Sequence, residues 1–228
     1  MNPTQAKLHL LLEDFGKKAS FGELILDAGA GKKPYKKHFS HLSYESADLP
    51  GNGEHTYQCD LHKIPVEDKR FSLIICNQVL EHVKNPFVVV KELERICKPG
   101  GFLFFSVPFY YPEHMIPYDY YRYTRYGARL LAEQAGFDVE SVENVDSYLS
   151  MISFQLFQIK KNLPSLEEFV KKDLCSDDLA TSYSNLTKQF SSISKELSNI
   201  EMQLVNQNLP YPSEGHPRTF YVIAKKRI

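Results

Sequence analysis

Cysteine is scarce in this chain, and net charge is almost absent. The 228 residues set 27 Lys and Arg against 28 Asp and Glu, a formal net charge of -1. A balance this even builds no global field to recruit nucleic acid or an anionic membrane. The lysine pairs Lys32-Lys33, Lys36-Lys37 and Lys225-Lys226 are scattered and read as solvated faces. The four cysteines, Cys59, Cys76, Cys97 and Cys175, form no close Cys-x-x-Cys pair, so neither zinc nor a redox motif is expected and no metal site is predicted. Cys59 and Cys76 sit in apolar runs, where a free thiol behaves as a small hydrophobe. No run reaches the ~18 apolar residues that cross a bilayer, so stable membrane insertion is not expected. The apolar stretch from Lys7 to Phe15 is broken by Glu13 and Asp14 and is not read as a signal peptide. The expected setting is reducing and cytoplasmic.

What is present is ordinary for a globular protein, 43% apolar and 24% charged residues. The length suits one well-packed domain with an appendage. A helical spacing over 5–19 leads to Gly22, and strands and helices then alternate. Strand-type runs lie near 23–28, 43–48, 55–59, 71–76, 102–107, 138–145 and 219–224. Helices are predicted over 86–97, ended by Pro99-Gly100-Gly101, and over 124–135, closed by Gly136. The runs at 23–28 and 71–76 lack polar alternation, the mark of a parallel sheet covered on both faces. The fold class is therefore α/β, a doubly wound sheet.

One segment breaks the alternation, and it divides the chain. Residues 1–146 and 218–228 form the expected core, and 147–217 a helical insertion. Apolar residues at Leu179, Tyr183, Leu186, Phe190, Ile193, Leu197, Ile200 and Leu204 make an unbroken heptad seam. Ser176 or Asp177 caps its start in this reading, and Pro210 and Pro212 limit its end. A helix of about 28 residues would run roughly 42 Å. Such a seam needs a mate. The apolar helix predicted at 148–159 is the nearest one, giving an intramolecular hairpin. The alternatives are a lid, or a homodimer contact through residues 178–207.

The densest chemistry lies at Ile25-Leu26-Asp27-Ala28-Gly29-Ala30-Gly31, a strand running into a glycine turn. Glycines there let the backbone approach a ligand in conformations a β-carbon disfavours. Asp48 ends the second strand, where a carboxylate can accept both hydroxyls of a ribose. These two features also suit a dinucleotide-dependent oxidoreductase. Three others favour S-adenosylmethionine. Asp27 sits where its carboxylate meets a cationic amino group, which this cofactor carries and NAD lacks. Pro34 stands where a third Gly-x-Gly-x-x-Gly glycine would be. Cys59-Asp60-Leu61 offers an acid for an adenine amino group. Asp27, Asp48 and Asp60, at the ends of three successive parallel strands, are expected to converge at the carboxyl edge of the sheet.

On these residues the sequence resembles the class I S-adenosylmethionine-dependent methyltransferases, in the group that acts on small molecules. The likeness extends through Phe-Ser-Leu-Ile-Ile-Cys-Asn-Gln-Val-Leu-Glu-His-Val at 71–83 and Glu-Leu-Glu-Arg-Ile-Cys-Lys-Pro-Gly-Gly-Phe-Leu at 92–103. It implies a Rossmann-like sheet of seven strands, mostly parallel, with the last antiparallel. It also implies that Gly29, Ala30 and Gly31 line the cofactor, that Asp48 binds ribose and Asp60 adenine, and that Asn77 and Gln78 lie beside the methionine part. The sequence departs from the family where Lys33 occupies a common third glycine, followed by Pro34-Tyr35. His82 is read either as part of the site or as structural.

The acceptor side is sought in the loop Val107–Thr124, rich in tyrosine and holding His114, Asp119 and Arg122. A similar His…Pro-x-Asp-Tyr-x-Arg-Tyr-Thr run appears in related methyltransferases, some tied to glycan biosynthesis. His114 is the expected general base for a hydroxyl acceptor, with Asp119 orienting it. The competing reading has Asp119, Arg122 and Thr124 pin the following helix. The predicted function is methyl transfer to a small-molecule or glycan/lipid-linked acceptor. A non-catalytic cofactor-binding or scaffold protein built on the heptad helix is the alternative.

Overall fold

The computed structural model of the chain describes residues 3–163, 177–207 and 217–228. It divides into two compact units: one comprises Lys7–Val145 and Arg218–Ile228, the other the described parts of Met1–Ala6 and Asp146–Pro217.

The first unit is a single seven-stranded sheet in the order β3-β2-β1-β4-β5-β7-β6. Its strands are β1 (Leu24–Ala28), β2 (Ser43–Asp48), β3 (Tyr57–Gln58), β4 (Phe71–Asn77), β5 (Cys97–Pro108), β6 (Phe137–Asn144) and β7 (Thr219–Lys226). β1 to β5 pair in parallel, whereas β7 runs antiparallel to both β5 and β6. This is the α/β class expected from the pattern and the mixed seven-stranded sheet that the family resemblance implied. Strand order reverses at β1, which lies between β2 and β4. A doubly wound sheet opens a crevice at such a point, at the carboxyl ends of its strands.

Unbroken apolar strands are explained by burial on both faces. Leu26, Ala28, Ile74, Cys76, Leu103 and Phe105 point to one side, where α2 (Pro86–Ile96) and α3 (Arg125–Ala135) lay Val89, Leu93, Ala128 and Ala132 on them. Ile25, Leu73, Ile75 and Phe104 point to the other, under Leu8, Leu12 and Phe15 of α1 (Pro3–Gly16) and under Phe39. Fully burying a phenylalanine such as Phe104 contributes roughly 2–3 kcal/mol, and its ring also stacks on Tyr221 at 5.4 Å.

The helix ends follow their capping chemistry. Asn85 accepts a hydrogen bond from the Val88 N–H, with Pro86 at the first helical position of α2. Thr124 accepts from the Gly127 N–H at 3.0 Å, and Gly136 closes α3 at φ 109°. The expected stop before Pro99-Gly100-Gly101 is met within one residue, but those three residues lie inside a strand. The helix ends at Ile96 and β5 begins at Cys97, with Cys97 opposite Phe71 and Phe102 opposite Leu73. The extra residues lie within β5 as an irregularity, because Gly101 backs so closely on the Ser72 carbonyl that a β-carbon would stand 2.8 Å from it.

In the second unit α4 (Tyr148–Asn162) and α5 (Asp177–Asn206) pack against each other. Ser147 starts α4 by accepting from the Ser150 N–H, and its own N–H donates to the buried Glu201 carboxylate at 3.0 Å. Ser153 donates to the Ser194 carbonyl at 2.8 Å, and its hydroxyl lies 2.7 Å from that of Ser198. The contact face of α5 is thus turned toward its serines and Glu201, and only half of the heptad seam goes with it. Tyr183, Phe190, Leu197 and Leu204 are half-buried, whereas Leu179, Leu186, Ile193 and Ile200 stay 45–48% exposed. Ser176, Pro210 and Pro212, the expected limits of this helix, lie outside the described residues. Among the described residues no helix is long and apolar enough to cross a membrane.

Candidate active site

The glycine turn begins where β1 ends. Gly29 and Gly31 adopt φ values of 76° and 50°. The Gly29 and Ala30 N–H groups donate to the Ala47 carbonyl on β2, at 2.8 and 3.2 Å. Gly29 also has no room for a side chain: a β-carbon there would meet Val79 Cγ2 at 2.3 Å. Lys33, where the resemblance led to a glycine being expected, itself adopts φ 55°. The backbone shape of the turn is therefore kept while the residue differs.

Asp27 lies on the α1 side of the sheet and is 2% exposed. Burial pushes its carboxyl up to about 6 and the nearby Asp48 adds to the rise, against the pull of the Tyr44 hydroxyl, which donates to Oδ2 at 2.6 Å. Asp48 faces the turn itself. Its Oδ2 accepts from the Gly31 N–H at 2.7 Å, and its Oδ1 from the Leu49 N–H and Asn52 Nδ2, each at 2.7 Å. Three of roughly four carboxylate acceptor positions are thus engaged. A bidentate grip on two ribose hydroxyls requires one of these partners to yield.

Cys59 joins this group through the backbone, its N–H donating to the Asp48 carbonyl at 2.9 Å. Asp60 follows it at the same sheet edge, with its side chain 63% exposed and its Oδ1 2.5 Å from His62 Nδ1. Leu61 is buried beneath. At the end of β4, Asn77 Oδ1 accepts from the Ser106 hydroxyl at 3.1 Å, while its buried Nδ2 has no partner. Gln78 takes φ 53°, and its side-chain amide donates to the Ser106 hydroxyl. A non-glycine residue in the left-handed region beside an unsatisfied buried donor marks a place where the fold holds strain.

The loop after β5 is organised by one ion pair. Both terminal guanidinium nitrogens of Arg122 meet Asp119, each at 2.7 Å, while its Nε and Nη2 also donate to the Tyr111 and Pro112 carbonyls. Asp119 accepts the His114 N–H at 2.8 Å. Arg122 holds its carboxyl well below the usual range, with only 3% of the side chain exposed. Thr124 caps α3, so Asp119 and Arg122 fix the loop rather than the helix.

His114 stands edge-on to His82, ring centroids 4.6 Å apart. Beneath them is Glu81, fully buried, neither of whose carboxylate oxygens has a hydrogen-bond partner. Burial pushes Glu81 up to about 8 and pulls His82 down. One ligand atom from each of Glu81, His82 and His114 falls within 4.8 Å of the others. Cysteine spacing pointed to no metal site, and these ligands are not cysteines. Tyr44, Asn52, Ser106 and Glu81 are the residues the sequence reading left out. Glu81 and His82 lie within the 71–83 motif, whereas Tyr44 and Asn52 are recognisable only from strand register and turn geometry.

Residues 26–105 match the profile of the family described as Methyltransferase domain. Ubiquinone biosynthesis O-methyltransferase of Coxiella burnetii (strain Dugway 5J108-111) is 43% identical over 51 residues, 22% of this chain and 22% of that protein. The chain therefore matches about a fifth of the length of that curated relative. Phosphoethanolamine N-methyltransferase 2 of Haemonchus contortus, solved with phosphomonomethylethanolamine and S-adenosylhomocysteine, superposes with TM-score 0.57 at 16% identity, over 97% of this chain and 52% of that one. An S-adenosylmethionine-dependent methyltransferase of Archaeoglobus fulgidus superposes with TM-score 0.55 at 14% identity, over 96% and 93% of the two chains. At these identities the structural likeness speaks to the fold.

Proposed function

We propose, for a chain that carries the domain and the fold of the class I S-adenosylmethionine-dependent methyltransferases, that it moves a methyl group to a hydroxyl oxygen of a small-molecule or glycan- or lipid-linked acceptor. The observation carrying this reading is the joining of Asp27, the Gly29-Ala30-Gly31 turn and Asp48 at one edge of adjacent parallel strands. The residues fit the cofactor. Asp27 offers a buried carboxylate to its cationic amino group. The turn at Gly29 gives the close backbone approach, and the partnerless Asn77 Nδ2 offers a donor to its carboxylate. In this reading Asp48 holds the ribose once Asn52 yields, Asp60 and the Cys59–Leu61 backbone meet the adenine, and Gln78 flanks the methionine part.

The bound cofactor supplies a methyl group on a sulfonium, already activated for in-line displacement. The protein's task is then to position the acceptor and manage its proton. His114 accepts that proton. Its Nδ1 stands 3.2 Å from both the Pro112 carbonyl and Asp119, both acceptors, so Nδ1 carries the hydrogen and Nε2 keeps a lone pair. Asp119 therefore sets the tautomer as well as the loop. Tyrosines of the loop shape the acceptor pocket. The relative's name, an O-methyltransferase, favours oxygen over nitrogen or carbon.

Two further parts of the reading concern the whole molecule. The exposed Leu179, Leu186, Ile193 and Ile200 repeat every seven residues along α5, a stripe suited to pairing with the same helix of a second copy. Free Cys59, Cys76 and Cys97 suit a reducing cytoplasm. The deciding experiment is calorimetric titration with S-adenosylmethionine and with NAD, followed by radiolabelled methyl transfer to panels of hydroxyl acceptors. Binding of NAD in place of S-adenosylmethionine overturns the proposal. Cofactor binding with no transfer to any panel leaves the non-catalytic alternative standing.

A further inference from the structure

Methyl transfer from a sulfonium has no need of a carboxylate buried beneath two imidazoles, yet the loop after β5 is folded to make that arrangement. Glu81 has no exposed surface, neither oxygen accepts a hydrogen bond from another residue, and the Arg122 guanidinium acts on it only at a distance. A buried carboxylate left so is costly unless a positive charge or a proton answers it. Both imidazoles above it are oriented from behind. His82 Nδ1 lies 2.6 Å from the Tyr118 carbonyl, which can only accept, so Nδ1 carries the hydrogen. The lone pair is then on Nε2, 3.9 Å from Glu81 Oε1. His114 is held in the same way by the Pro112 carbonyl and Asp119. An imidazole whose far N–H is tied to a carbonyl or carboxylate, with its near nitrogen free, is the arrangement that surrounds metal-ligating histidines.

We propose that Glu81, His82 and His114 bind a divalent transition-series cation. Their ligand atoms already lie within 4.8 Å of one another. Ligands on a single ion at bond lengths of about 2.0–2.2 Å stand roughly 3–3.5 Å apart, so shifts of about 1 Å at the side-chain tips close the site. Two imidazoles and one carboxylate suit zinc, iron, cobalt or nickel better than calcium or magnesium. Three protein ligands also leave positions open for a ligand from outside. That use of the site rests on the methyl-transfer reading, and it reassigns one step. The acceptor hydroxyl binds the cation in place of water, and its O–H bond breaks with the electron pair staying on oxygen. The proton passes to solvent water. With the cation bound, it does what His114 does in its absence, since the His114 Nε2 lone pair is then a metal bond.

The test uses the full chain, stripped with a chelator and titrated with Co²⁺ while its visible ligand-field bands are recorded, then competed with Zn²⁺. One equivalent of Co²⁺ is expected to bind, with bands of a nitrogen–oxygen site. Glu81→Gln, His82→Ala and His114→Ala should each weaken binding by more than about 100-fold, the upper end of what loss of an outer-shell partner costs. His114 is on a surface loop, so His114→Ala carries the test even if Glu81→Gln does not fold. Absence of a saturable Co²⁺ signal overturns the proposal, as does equal affinity in wild type and His114→Ala. Calorimetry with S-adenosylmethionine on the stripped protein reports separately: its failure removes the methyl-transfer reading without touching the metal titration.

Discussion

Asp27→Asn tests the cofactor site through two independent curves. The carboxyl ionises at about 3.9 in an unfolded chain and at about 6 in the fold, where burial resists its charge. Between those values the folded state holds a proton that the unfolded state has lost. Stability therefore falls as pH rises through that window. At about 1.4 kcal/mol per pH unit, the loss over roughly two units is about 3 kcal/mol, complete above pH ~6. Because other groups titrate over the same range, the quantity to measure is the difference between wild type and Asp27→Asn in urea-unfolding free energy from pH 4 to 7. Asparagine keeps a partner for the Tyr44 hydroxyl and has no charge to lose, so wild type should lose about 3 kcal/mol relative to the variant across that range.

Cofactor affinity must run the other way. Only the ionised carboxylate pairs with an ammonium, so wild-type affinity for S-adenosylmethionine should rise up to about tenfold per pH unit until Asp27 is ionised near pH 6, then level off. Asp27→Asn should be flat with pH and about 10- to 150-fold weaker at pH 7, the worth of one charge-assisted hydrogen bond of roughly 1.5–3 kcal/mol. Calorimetry from pH 5 to 7.5 measures both proteins. A wild-type affinity indifferent to pH, matched by the variant, would refute the assignment of Asp27 to the cofactor's amino group. A flat stability difference would refute its raised ionisation.

Gly29→Ala should cost about 2–4 kcal/mol of stability, combining a left-handed backbone penalty with overpacking against Val79, 2.3 Å from the new β-carbon. Adding Val79→Ala should return only the packing share in a double-mutant cycle of melting curves. Asp119→Ala should lower the urea midpoint at pH 7 by the equivalent of about 2 kcal/mol, scaled down from a fully buried pair because Arg122 is partly solvated. The wild type should shed that contribution only on acidification below pH ~4, since Asp119 ionises below its unfolded value. Leu186→Glu with Ile193→Glu should halve the mass seen by light scattering, and a wild type that is already monomeric at tens of micromolar ends the dimer reading.

The fold was legible because its signals are local and repetitive. Apolar runs at 23–28 and 71–76 could only serve a sheet covered on both sides, and Ile25 and Leu26 do face opposite cores. The signals failed where a contact across the sheet decided the outcome. Pro99-Gly100-Gly101 does end α2, within a residue of the expected place, but these three residues then belong to β5, because Cys97 is paired with Phe71. The heptad seam of α5 rests on apolar spacing alone. Small polar groups chose the contact instead: Ser194 and Ser198 bond to Ser153 and leave half of the apolar stripe exposed.

The candidate site divides along the same line. Strand-terminal acids are visible in sequence because a strand end carries its own punctuation, and Asp27, Asp48 and Asp60 sit at one edge because β1, β2 and β3 are neighbours. What each acid already holds was not visible. Asp48 is committed to Gly31, Leu49 and Asn52, so in the structure its carboxylate builds the turn. Glu81 shows the limit most clearly. In sequence it is one acid in the 71–83 motif, and His114 lies 33 positions on. Only the folded loop, tied through Tyr118 to His82 and through Tyr120 to the Glu81 carbonyl, puts the two histidines over the buried carboxylate. A ligand set assembled by long-range backbone contacts leaves no spacing motif, so the cysteine-pair logic that excluded one kind of metal site had no bearing on this one.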